Sequence, residues 1–226
     1  MENNSAVLRK HPVFSSLTSD DLKQLMELAV SRKLKRGEAL ALQGDVWPYL
    51  FLVVEGELEA VKCSFEGRNL LVTTFKQGDL FWGTALFQDG MAQLATLEAN
   101  CQTLVFLWTK QLIEPIFFSH GHMSWELCSL MVQRMQRASA IVEDLAFQSV
   151  SGRLASLLLD NFDTTGEKVL ERSLTLDEIA ARIGTTREMV CRALYRFADR
   201  KLINVTRTEF ILTDRDGLTL LRDSCK

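Results

Sequence analysis

Leu174-Thr175-Leu176-Asp177-Glu178-Ile179-Ala180-Ala181-Arg182-Ile183-Gly184-Thr185-Thr186-Arg187-Glu188-Met189-Val190-Cys191-Arg192-Ala193-Leu194 reads as two short helices joined by a tight turn. Thr175 caps the first helix, and Glu178 three places later returns the contact of a capping box. Ile179, Ala180 and Ile183 supply that helix with a buried face. Gly184 permits the sharp turn, because a residue without a Cβ takes left-handed conformations freely. Thr185 or Thr186 caps the second helix, whose Val190, Ala193 and Leu194 hold it against the first. Arg187, Glu188, Cys191 and Arg192 are left exposed near its N-terminus.

That exposed set suits a major groove. The planar fork of arginine matches O6 and N7 of guanine, and a glutamate accepts from N4 of cytosine. A carboxylate beside phosphates is electrostatically costly, so its presence points to base readout rather than to non-specific attraction. Thr175, Thr185, Thr186, Arg196 and Arg207 are the candidates for contacts to the DNA backbone. The whole chain carries a net charge of −3, yet Arg182, Arg187, Arg192, Arg196, Arg200, Lys201 and Arg207 face only Glu188 and Asp199 across the same stretch. Any one of these arginines is an ordinary solvated helix charge; the ordered set makes the segment a basic reader on an acidic body.

Downstream, Leu202-Ile203-Asn204-Val205 and Phe210-Ile211-Leu212 have the look of two short strands, so residues 147–226 are expected to form a winged helix-turn-helix. Upstream, Ser149 is placed to cap a helix running through Leu159, which makes 146–149 a candidate hinge. Cys128, Met131, Met135, Ala138, Val142 and Leu145 follow at alternating steps of three and four, a heptad seam. The seam predicts a dimerisation helix over 111–146, paired with a second copy of the chain; packing on the protein's own barrel is the competing explanation. Before it, Gly37, Gly44, Gly56, Gly67, Gly78 and Gly90 punctuate short apolar runs such as Leu50-Phe51-Leu52-Val53-Val54, the spacing of an antiparallel barrel over about 32–109. With an N-terminal helix capped near Thr18, this makes 1–110 an effector-type domain. The fold class is therefore α+β.

At 226 residues, 47% hydrophobic and 24% charged, the chain suits two modest domains. No apolar run is long enough for a membrane span and the N-terminus lacks a secretory pattern, so a cytoplasmic location away from the membrane is expected. Five cysteines are scattered without a CxxC pair, and no nucleophile–base pair, phosphate loop or metal motif argues for an enzyme. His120 and His122 flank a glycine and share no helical face, which reads as solvated surface rather than a metal or haem site.

Three strings together resemble the CRP/FNR superfamily, named for the cyclic-AMP receptor protein and the fumarate-nitrate regulator: Thr186-Arg187-Glu188-Met189-Val190-Cys191-Arg192, the hinge string Leu145-Ala146-Phe147-Gln148-Ser149-Val150-Ser151-Gly152-Arg153, and the barrel glycines with Gly78-Asp79. The resemblance spans essentially the whole chain. It implies a cyclic-nucleotide-binding-type β-roll (a jelly-roll-like barrel), a long dimerisation helix and a winged helix-turn-helix. It implies also a homodimer on double-stranded DNA, at a palindrome with half-sites resembling TGTGA, and RNA polymerase as a partner if the protein activates. Arg187, Glu188 and Arg192 match the family's base-reading positions; Cys191 stands where a small residue or serine is usual, and is a candidate point of oxidation.

In cyclic-nucleotide-binding relatives a glutamate holds the ribose and an arginine with a hydroxyl neighbour holds the cyclic phosphate. Here those positions fall on Gly83, Gln93 and Leu94, which leaves no cation for the phosphate in the cassette and argues against cyclic AMP bound in the usual manner. The effector-pocket candidates are Phe81, Trp82, Gly83, Leu86, Gln93 and Leu94, with Phe87 beside them. They suit a small apolar effector, a haem serving a gas or redox sensor, or a barrel simply filled by its own aromatics. The cofactor is thus unknown, and the cysteines do not match iron-sulfur spacing. The remaining alternative is a cyclic-nucleotide-binding or interaction module that binds no DNA; it would need the missing arginine and would not need Arg187 and Arg192.

Overall fold

The computed structural model describes residues 7–223, so Cys225 lies outside the described residues. Two compact units emerge, one formed by the chain up to Lys62 with Val72–Gln136, the other by Cys63–Leu71 with Arg137 onward. In the first, a 3-10 turn at Pro12–Phe14 is capped by His11, whose Nδ1 accepts from the Val13 N–H at 3.2 Å. Helix α1 (Ser19–Glu27) follows with a capping box between Thr18 and Asp21. Eight strands come next: β1 (Val30–Leu34), β2 (Ala39–Ala41), β3 (Tyr49–Glu55), β4 (Glu57–Cys63), β5 (Asn69–Lys76), β6 (Leu80–Trp82), β7 (Thr96–Ala99) and β8 (Thr103–Thr109). They form two four-stranded sheets, β1-β8-β3-β6 and β2-β7-β4-β5. The paired strands are antiparallel, with Leu52 opposite Phe106 in the β3–β8 register.

Strand β3 shows why the apolar run 50–54 carries no polar alternation. Side chains alternate across a strand, and here both faces are covered. Leu50, Leu52 and Val54 enter a core with Phe14, Leu25, Trp108 and Ile113, while Phe51 and Val53 enter a second core with Leu58, Ala60 and Leu97. Trp108 is locked in the first core, its indole N–H donating to the Leu25 carbonyl at 2.7 Å.

The segment 111–146, expected as one helix, is two: α2 (Lys110–Ser119) and α3 (Gly121–Phe147). His120 makes the break with a non-helical backbone (φ −122°, ψ 83°). Its Nδ1 lies 3.1 Å from the Ile116 carbonyl and its Nε2 3.6 Å from Asp21 Oδ2, so it is a half-buried junction residue rather than solvated surface.

In the second unit α4 (Val150–Thr165) is capped by Ser149, which accepts from the Gly152 N–H. After β9 (Val169–Glu171) come α5 (Leu176–Ile183), α6 (Arg187–Asp199), β10 (Ile203–Val205), β11 (Glu209–Leu212) and α7 (Arg215–Asp223), with β9 and β10 pairing on either side of β11. One core joins them through Leu154, Leu158, Phe162, Ile179, Val190 and Phe197. Among the described residues no helix is long and apolar enough to cross a membrane.

Candidate nucleic-acid interface and sensor cassette

The turn between α5 and α6 is built as the sequence requires. Thr175 accepts from the Glu178 N–H while the Glu178 carboxylate accepts from the Thr175 N–H at 2.6 Å, a cap worth about 1 kcal/mol. Gly184 takes a left-handed backbone (φ 63°), and a Cβ there would fall against Leu145 Cδ2. Of the two threonines, Thr186 is the cap of α6, accepting from the Met189 N–H; half-buried Thr185 donates its own N–H to the Ala180 carbonyl.

On α6, Val190, Ala193, Leu194 and Phe197 are buried, and Arg187, Glu188, Arg192 and Arg196 are exposed. Cys191 is half-buried on the same side. Arg192 pairs with Glu188 and Arg187 with Asp177 at 3.3 Å, both pairs largely solvent-exposed and so worth little to folding.

Arg207 stands exposed at the tip of the β10–β11 wing. The tip is stiff: Thr206 donates its N–H to Glu209 O and its hydroxyl accepts from the Glu209 and Thr208 N–H groups. Arg172, which the sequence did not single out, braces it by donating to Thr206 O at 2.8 Å with its guanidinium 5.1 Å from the Phe210 ring. Only its place beside β9 could have suggested this, since its partners lie more than thirty residues away.

The seam on α3 needs a correction. Cys128, Met135, Ala138, Val142 and Leu145 are exposed, Leu145 with its Cδ2 beside Gly184, but Met131 packs against the first unit's own core. The exposed stripe runs instead through Trp125 (70% exposed), Cys128, Val132 (50%), Met135 (66%) and Val142 (65%). The helix carries one apolar stripe packed on its own barrel and a second that is exposed, and the sequence pattern merged them.

In the cassette, Gly83 and Leu86 are buried, Phe81 and Trp82 half-buried, and Phe87 exposed. Gln93 is buried, whereas Leu94 is 59% exposed, because alternation along the chain turns it outward between Gln93 and Ala95. Gly83 is held against the Trp47 backbone so closely that a Cβ would collide with its carbonyl oxygen. No carboxylate-bearing side chain fits there, so the residues do not suit a ribose held in the family's usual way. A cation reaches the cassette from outside it: Arg134, from α3, lies over the rings of Phe75, Phe81 and Trp82 at 4.9, 4.9 and 4.7 Å and donates to the Leu80 carbonyl. Among the described residues no group of three or more His, Cys, Asp or Glu is placed to hold a metal ion.

Comparison with known proteins agrees with this geometry. Residues 31–120 match the cyclic nucleotide-binding domain family and residues 152–221 the Crp-like helix-turn-helix domain. The CRP-like cAMP-activated global transcriptional regulator of Mycobacterium tuberculosis is 23% identical, over 94% of this chain and 96% of that protein. The cAMP-activated global transcriptional regulator CRP of Pasteurella multocida is 29% identical, over 71% of this chain and 79% of its own length. A crystal structure of a crp/fnr-family transcriptional regulator from Eubacterium rectale superposes with a TM-score of 0.77 at 23% identity, covering 93% of this chain and 97% of that one.

Proposed function

From a chain that belongs to the CRP/FNR superfamily of DNA-binding transcription regulators, we propose a homodimer that reads a palindrome with half-sites resembling TGTGA. The observation that carries this is the set of exposed Arg187, Glu188 and Arg192 with half-buried Cys191 on the first turns of α6, and Arg207 on the braced wing. Arg187 and Arg192 take guanine edges, Glu188 a cytosine amine, and Thr175, Thr185, Thr186, Arg196 and Arg207 serve the phosphates. The exposed stripe Trp125, Cys128, Val132, Met135 and Val142 pairs two copies about a two-fold axis, which sets the recognition helices one DNA turn apart, roughly 34 Å. RNA polymerase is the further partner if the protein activates, and the cytoplasm is where it acts.

The sensor does not take cyclic AMP in the manner that the names of its relatives describe. Arg134 seated on three aromatic rings favours a cassette filled by the chain itself over one open to haem or an apolar effector. Fluorescence anisotropy of the purified full chain on a TGTGA palindrome tests both points. Tight binding without additive, unchanged by cyclic AMP, is the expected result. Binding that appears only with a nucleotide or with a co-purified haem would replace the filled cassette with a ligand-gated one, and no preference for the palindrome over scrambled DNA would end the DNA-reading assignment.

A further inference from the structure

Arg153, the fourth residue of α4, spans two helix ends. Its Nε donates to Ile183 O at 2.7 Å and its Nη2 reaches Gly184 O at 3.4 Å, at the C-terminus of α5 where the recognition turn begins. Its Nη1 donates to Gln148 O at 2.6 Å and approaches Asp144 O at 3.4 Å, at the C-terminus of α3. Carbonyls at a helix C-terminus lack intrahelical partners and stand at the negative pole of the helix dipole, so a cation satisfies both ends at once. The fork geometry is essential, since a lysine ammonium concentrates its donors at one atom. Burial pulls the guanidinium below its ordinary pKa range, with Asp144 opposing.

Packing alone does not hold this junction. A pocket of about 180 Å³, open to solvent, lies beside it, lined in part by Ile141, Leu145, Gln148, Ile183 and Gly184, and the Gln148 Oε1 is buried there without a hydrogen-bond partner. Where close packing is interrupted, elements are free to pivot unless directional bonds fix them.

We infer that Arg153 is a positioning residue that fixes the angle at which the helix-turn-helix is carried on the end of α3, and so sets the half-site separation the dimer accepts. This rests on the palindrome assignment above. The test compares wild type, Arg153→Met and Arg153→Lys, as full-length dimers, on three DNAs: a palindrome selected by the wild type from random sequence, the same palindrome with its spacer lengthened by one base pair, and a single half-site. Both variants should bind the selected palindrome about tenfold or more weakly, the scale of one charge-assisted hydrogen bond. Both should lose most of the discrimination against the lengthened spacer and bind the single half-site within about twofold of wild type. Equal losses on palindrome and half-site, or unchanged spacer discrimination, would overturn the inference by making Arg153 an ordinary stabiliser of the fold. If Arg153→Met shows no cooperative melt, Arg153→Lys is judged by the same criteria. A wild type that selects no palindrome would bring down the palindrome assignment, and the inference with it, a result distinct from either variant outcome.

Discussion

Arg192 and Arg207 are both exposed cations on the reading side of the second unit, yet their surroundings assign them different work. Arg192 is paired with a base-competent glutamate on the first turns of α6, so Arg192→Ala should cost about 1–3 kcal/mol on the palindrome and relax preference at one base pair. Arg207 sits on a wing tip, so Arg207→Ala should weaken binding almost uniformly across sequences and reduce the salt slope by about one. Anisotropy against single-base variants and across a salt series separates the two. His11 supports a different prediction. Burial holds its imidazole below the ordinary value, while Asp79 raises it and Arg134 lowers it. The folded state therefore prefers neutral His11, matching the acceptor role of Nδ1 at the 3-10 turn. The unfolded chain takes up the proton first as pH falls through about 6.5, so this contribution is complete above that pH and is lost below it. Thermal melts should show His11→Asn losing less stability than wild type between about pH 7 and about pH 5. The exposed positions of Arg187, Glu188 and Arg192 were legible in the sequence because helical periodicity alone exposes them. Arg134, Arg153 and Arg172 were not, since their partners are backbone carbonyls and rings brought near only by the fold.

Helix α3 has apolar residues packed on its own unit and others left exposed on the proposed seam, and substitutions one position apart should divide in the same way. Val132→Glu is expected to leave the melt nearly unchanged and convert the dimer to monomer in sedimentation at micromolar concentration, because Val132 is exposed on the stripe. Met131→Glu places a charge against the first unit's own core and should instead lower thermal stability. Equal behaviour of the two would show that the stripe through Val132 is not the dimer seam. The heptad spacing was enough to announce a long helix with an apolar stripe. It did not distinguish the two stripes, which lie on adjacent faces, nor the break at His120, although Gly121 follows it directly. The capping box at Thr175 and the left-handed Gly184 were both readable, being local devices completed within a few residues.

On the scale of the whole molecule, a net charge of −3 surrounds a basic reader, an arrangement that discourages loose attachment to arbitrary DNA. On DNA lacking the palindrome at about 150 mM salt, the dissociation constant should be micromolar or weaker; nanomolar binding there would mean that phosphate attraction, not base reading, dominates. The division into a β-roll and a winged helix-turn-helix was plain from glycine spacing and the two capped helices, whereas the state of the sensor was not, because cassette alignment shows which groups are missing and not what has moved into their place. Gly83 adds a constraint of its own to that picture. With the Trp47 carbonyl pressed against it, any side chain at position 83 first requires the Trp47 segment to be rebuilt. A sensor of this build therefore cannot gain a ribose-holding carboxylate at that position by one substitution alone; the neighbouring backbone has to change with it.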